Sequence, residues 1–183
     1  MNTARVNART ARADFPRLFA TLAARILMMV ASAWPGLLGA ASPIALPSAE
    51  WIWAADQPPA PAAQFTRSFT APPGIQSAVL MGACAGRMTI FLNGERVGEM
   101  TGRERGTSFP VLRLLRPGEN ILTLDAIGDG NAAAAVILEL VLDSGKHEWI
   151  VTDGSWRGST PGMNEPRPVA RLGRVDAPGR GNP

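Results

Sequence analysis

The chain has 183 residues, 46% hydrophobic, 18% charged and 6% aromatic, a length that suits one domain plus a targeting segment and a composition that excludes global disorder. A single Cys excludes an intrachain disulfide framework, and a single His leaves no basis for a zinc site built from several His and Cys ligands. The net charge of +3 is unevenly placed, and its placement argues against a nucleic-acid partner.

Arg5, Arg9, Arg12, Arg17 and Arg25 precede the first long apolar run with only Asp14 opposing them, and residues 42–183 carry 13 basic against 14 acidic side chains. The remaining Arg residues are scattered, whereas phosphate affinity needs a concentrated positive surface. Between Arg25 and Glu50 lie 24 uncharged residues, ILMMVASAWPGLLGAASPIALPSA. An Arg-rich start, an apolar stretch and then small residues is the order of a secretory signal peptide. Gly39 and Ala41 suit the small positions before a cleavage site, so cleavage is expected after Ala41, with a linker at 42–49 and export to the periplasm or beyond the cell. Left uncut, the run is long enough to anchor the chain in a membrane, although Pro35, Pro43 and Pro47 interrupt a helix. A mitochondrial-type presequence is a further reading of the Arg-rich first 25 residues. No Cys closes the apolar run for lipid attachment, and no twin-Arg pair precedes it.

From residue 50 onward, short stretches of period-two alternation are separated by turn residues. Trp51 and Trp53 flank Ile52 at strand spacing. Segment 64–70 (QFTRSFT) puts Phe65, Arg67 and Phe69 on one face, and segment 76–84 follows the Pro72-Pro73-Gly74 break. Segment 87–93 puts Met88, Ile90 and Leu92 on one side. Asn93-Gly94 then marks a two-residue hairpin, because a type I′ turn needs positive φ at both central positions. Further strands are predicted at 108–115, 120–127, 134–142, 147–151 and 168–172. Turns separate them at Pro117-Gly118, Asp129-Gly130-Asn131 and Asp143-Ser144-Gly145-Lys146. With no long helical period outside the leader, the pattern predicts an all-β fold over 50–173, an antiparallel β-sandwich or barrel, and a C-terminal tail at 174–183.

Several pieces, taken in order, resemble one family. They are W-I-W (51–53), F-T-R-S-F (65–69), F-L-N-G-E-R-V-G (91–98), L-R-P-G-E-N-I-L (115–122), W-I-V-T-D-G-S-W (149–156) and V-A-R-L-G (169–173). The set is similar to the N-terminal galactose-binding-like jelly-roll domain found beside bacterial α-L-rhamnosidases and in related secreted proteins. The resemblance implies a β-sandwich jelly roll associated with carbohydrate-active or cell-surface systems, with no catalytic domain of its own in this stretch. Relatives carry an acidic residue just before the strand leading to the N-G turn. Here that stretch is Ala83-Cys84-Ala85-Gly86, which departs from the pattern.

The candidate binding residues follow from sugar chemistry. An aromatic face takes the apolar C–H face of a pyranose, which singles out Trp51, Trp53 and Trp156, each with packing at the sandwich ends as its plain alternative. Trp149, inside a strand, reads as structural. Arg103, Glu104 and Arg105 in the polar loop 99–107 are suited to hydrogen-bond a sugar or acidic glycan, and equally to an ordinary solvated loop. Asp129 and Asn131 offer oxygens to hydroxyls or calcium, but two side chains fall short of the ~6–8 oxygens calcium takes, and a turn is the simpler account. His147 has no neighbouring nucleophile and reads as a surface or inter-strand residue; Cys84, in an apolar strand, reads as a small buried hydrophobe. No P-loop, dinucleotide fingerprint, metal-ligand spacing or marked carboxylate pair points to a cofactor, a metal or a reaction. The expected function is a secreted, non-catalytic carbohydrate-binding-like module whose partner is a glycan or cell-surface polysaccharide. The alternatives are a structural or interaction module with a protein partner at the cell surface and, third, a small hydrolase. Membrane contact is expected only if the leader stays uncut.

Overall fold

The structure is a computed structural model that describes residues 47–55, 60–101, 107–128 and 132–175. The expected leader, its cleavage point, most of the linker and nearly all of the tail lie outside them. The strands in chain order are β1 (Glu50–Trp53), β2 (Ala62–Ala71), β3 (Ile75–Ala85), β4 (Arg87–Leu92), β5 (Glu95–Thr101), β6 (Thr107–Pro110), β7 (Gly118–Ile127), β8 (Ala133–Leu142), β9 (His147–Val151), β10 (Arg157–Ser159), β11 (Arg167–Pro168) and β12 (Ala170–Arg174). One antiparallel sheet runs β12-β1-β8-β3-β6, with β9 also paired to β8; the other runs β11-β10-β2-β7-β4-β5. The two sheets stack face to face, so the chain is an all-β sandwich as the alternation predicted.

Period two explains the core. Ala78 and Leu80 of β3 with Val136, Leu138 and Leu140 of β8 meet Phe65, Met88, Ile90, Leu92, Leu122 and Leu124 of the opposite sheet in one buried cluster. Fully burying each large side chain there contributes about 1.5–3 kcal/mol. Cys84 is buried in the same cluster. The N-G hairpin forms as predicted: Asn93 has φ 56° and Gly94 φ 82°, the positive pair a type I′ turn requires. The Asn93 amide also reaches outside the hairpin, donating from Nδ2 to Leu114 O at 2.8 Å and to Asn120 Oδ1 at 2.8 Å.

Several elements differ from the sequence-based expectation: β5 runs on to Thr101, into the stretch read as loop, and β11 is a separate short strand. The strand predicted over 108–115 stops at Pro110, and a 3-10 turn (Leu112–Leu114) follows. Pro110 has no N–H to extend a ladder. Val111 instead leaves the sheet with ψ near 7°, and its side chain is buried in the core. Strand β10 was not predicted because Arg-Gly-Ser reads as loop. Gly158 fits there because its missing side chain makes room for the Phe65 ring, which a Cβ would meet at 3.2 Å. The last strand lies two residues later than 168–172, at Ala170–Arg174. It pairs β1, and a bidentate ion pair from Arg171 to Glu50 ties the two strands together, with Nε donating at 2.5 Å.

Candidate functional site

The alternation that buries one face of the second sheet leaves its outer face polar. Ladder pairings place Ser159 opposite Gln64, Gln64 opposite Asp125, Asp125 opposite Thr89, and Thr89 opposite Glu99. Five strands thus set five polar side chains in one straight row across the sheet. One step along the strands the same face carries Arg157, Thr66, Thr123, Phe91 and Arg96 in a second row. Phe91 is half-buried, about 7 Å along its strand from Thr89. The bulge between Ile90 and Phe91 is what brings Arg96 opposite Phe91 and keeps the outward phase.

The first row floors an open groove of about 610 Å³, walled by Arg87 and Ile127 at one end and by Thr160 and Pro161 beside β10. Gln64 Nε2 donates to Asp125 Oδ1 at 2.9 Å, and Arg96 Nη2 donates to Glu99 Oε2 at 2.6 Å. The first bond fixes the amide, whose carbonyl oxygen, with Asp125 Oδ2, is an acceptor for a ligand hydroxyl. Arg87, Thr89 and Ser159 add donors, and Ile127, 46% exposed, adds apolar surface. This combination suits a ligand with many hydroxyls and one apolar face. Asp125 and Glu99 are both exposed and stand on strands separated by β4, their backbones roughly 10 Å apart.

The sequence-predicted residues fall in three groups. Trp53 is buried in the core, where its indole N–H donates to Ala60 O at 3.0 Å and its ring meets Phe65 edge-on at 5.5 Å. Trp156 is wholly buried and donates to Val151 O at 2.8 Å. Neither presents a face to a sugar; both are corrected to core residues, because a large ring at the end of a stacked sheet pair is covered from both layers. Trp51 is half-buried on the outer face of the first sheet, as is Trp149. Arg103, Glu104, Arg105, Asp129 and Asn131 lie outside the described residues. The residues missed were Gln64, Thr89, Glu99, Asp125 and Ser159. Gln64, Thr89 and Asp125 were visible as the polar half of predicted strands, whereas Glu99 and Ser159 fell in stretches read as loop, and the common row depends on register between strands distant in sequence.

These features define an antiparallel β-sandwich with an open polar groove on one sheet. No protein-family model matches the chain. No curated protein matches it either. Among solved structures it is similar to a Streptomyces avermitilis α-L-rhamnosidase complexed with L-rhamnose, with TM-score 0.62 and 22% identity, covering 70% of this chain and 15% of that one. It is also similar to a Pleurotus ostreatus lectin in complex with GalNAc, with TM-score 0.58 and 24% identity, covering 69% of this chain and 44% of that one. A GH78 rhamnosidase of Bacillus sp. GL1 matches with TM-score 0.51 and 27% identity, covering 61% of this chain and 13% of that one. The predicted resemblance to a rhamnosidase-associated domain therefore holds at the level of the fold. The chain spans under half the length of the lectin and less than one sixth of either rhamnosidase.

Proposed function

We propose that this protein is a non-catalytic carbohydrate-binding module that holds a glycan in the groove on the outer face of the second sheet. The observation that carries the proposal is the in-register row Ser159, Gln64, Asp125, Thr89 and Glu99, with Phe91 one step away. Hydroxyls meet the row, and the C–H face of a sugar ring meets Phe91 or Ile127. Fold neighbours crystallised with L-rhamnose and with GalNAc support the ligand class. That the fold occupies only a small part of each rhamnosidase chain supports a module without chemistry of its own. The leader pattern supports action outside the cytoplasm, and amino-terminal sequencing of protein recovered from an export-competent host should begin at Ser42.

A glycan array followed by calorimetry tests the groove. The wild-type protein is expected to retain at least one class of polysaccharide. Gln64→Ala and Asp125→Ala should each weaken binding about 5- to 15-fold, the loss of one or two hydrogen bonds, with unchanged melting temperature. Retention of no glycan by the folded protein, or equal binding by both variants, overturns the proposal.

A further inference from the structure

The outer face of the first sheet is built differently. A solvent-facing side of an antiparallel sheet is ordinarily polar. Here Met81, Ala135 and Ile137 point outward and are nevertheless buried, together with Ala49 and Val175, beneath Trp51, Trp149 and Val151. Two half-buried indoles thus cover a second, small core on the far side of the sandwich from the groove.

A carboxylate is set into this apolar surface. Glu139 pairs with Val79 on β3 and with Trp149 on β9, is only 8% exposed, and is the one buried carboxylate among the described residues. Of the other buried polar residues, Thr152 bonds the backbone of Glu50 and Val136, and Asn120 bonds the backbone of Arg116 and Gly118 and the Asn93 amide. Glu139 bonds an imidazole, its Oε1 lying 2.7 Å from His147 Nδ1. The His147 ring stacks on Trp149 at a centroid distance of 6.0 Å and an interplanar angle of 21°. Burying a carboxylate costs desolvation that an apolar side chain of the same size avoids, so packing alone does not account for Glu139. An aromatic plane, an oriented acceptor and an imidazole at one spot are the elements of sugar recognition.

We propose that Trp149, Glu139 and His147 form a second carbohydrate site, taking a single pyranose with its C–H face on Trp149 and a hydroxyl donated to Glu139. The ligand class is that of the groove, but the residues are entirely different. Two sites on opposite faces make the module bivalent, able to bridge two glycan chains and to bind a dense polysaccharide surface more tightly than a free sugar.

The test titrates the full chain with a panel of methyl glycosides (galactose, N-acetylgalactosamine, rhamnose, glucose and mannose), following tryptophan fluorescence. Among the described residues no Trp lines the groove, and comparison of the variants below assigns a saturable emission change to the first sheet. Glu139→Gln should weaken that response at least tenfold, and Trp149→Ala, read by calorimetry because the substitution removes the reporting indole, should weaken the affinity for the same sugar at least tenfold, while the groove variant Gln64→Ala leaves the emission response unchanged. Trp149→Phe, which keeps an aromatic plane, should bind within about threefold of wild type and shows that any loss in Trp149→Ala is not unfolding. No saturable change with any sugar, or undiminished binding by Glu139→Gln and Trp149→Ala, overturns the proposal. So does a concentration-dependent emission change without sugar that sedimentation assigns to self-association. Loss of binding in groove variants alone, with fluorescence intact, would leave this site standing without the other.

Discussion

Asn120 offers the sharpest test of how the groove-bearing hairpin is held. Its side chain is wholly buried and makes four hydrogen bonds. Oδ1 accepts from Arg116 N at 2.9 Å and from Asn93 Nδ2 at 2.8 Å; Nδ2 donates to Arg116 O at 2.8 Å and Gly118 O at 2.9 Å. The amide thereby fastens the Asn93-Gly94 turn of β4 and β5 to the connection between the 3-10 turn and β7. Asn120→Ala removes all four bonds from this buried site. At roughly 1 kcal/mol each, less what entering water restores, the loss is about 2–4 kcal/mol. For a domain of this size that lowers the melting temperature by roughly 6–16 °C. Calorimetric or circular-dichroism melting of Asn120→Ala, Asn93→Ala and the double variant measures it. The two residues share a bond, so the double variant should lose about 1 kcal/mol less than the sum of the singles. A drop below ~3 °C in Asn120→Ala, or strict additivity, would refute the network as the hairpin's anchor.

Other substitutions probe the remaining assignments. Trp156→Phe should cost roughly 1–3 kcal/mol through lost volume and the lost bond to Val151, yet leave glycan affinity unchanged; a selective loss of affinity would return Trp156 to the binding site. Gly86→Ala should destabilise by at least about 2 kcal/mol in chemical denaturation, because φ is +113° there and a Cβ would run into the carbonyl oxygen of Ile127. The hydrogen bond from Arg171 holds the Glu50 carboxyl below its ordinary value of 4.5. A carboxyl whose pKa is lowered on folding stabilises above its unfolded value and loses that contribution as pH falls through the folded one. Acidification from about pH 5 to 3 should therefore lower the wild-type melting temperature more than that of Glu50→Gln, and parallel curves would contradict the pairing.

Alternation in QFTRSFT and RMTIFLN already set Phe65 and, in the next strand, Met88, Ile90 and Leu92 on one face, because one buried face imposes period two on a strand irrespective of what covers it. Asn93-Gly94 and Pro117-Gly118 were legible for a similar reason: positive φ is a local demand, met by few residue types. The same local logic failed at Pro110, where the apolar run continues through Leu112, Leu114 and Leu115 but the backbone cannot, and at Arg157–Ser159, where a glycine strand exists only because Phe65 fills the space above it. The tryptophans were the least legible. Trp51 and Trp53 sit two residues apart and were expected to share a face, but a register shift between Trp51 and Ile52 sends one outward and the other into the core.

Sequence alone determined that the chain is a twisted stack of antiparallel strands, where its sharp turns fall, and which half of each strand is apolar, since those properties are set by neighbours within a few residues. Tertiary structure decided which polar halves align. Gln64 and Asp125 are 61 residues apart in the chain and hydrogen-bonded in space, and Glu139 meets His147 only because β8 and β9 turn back on each other. A binding surface on a sheet is a property of register, and register is settled by the packing of the whole sandwich rather than by any one strand.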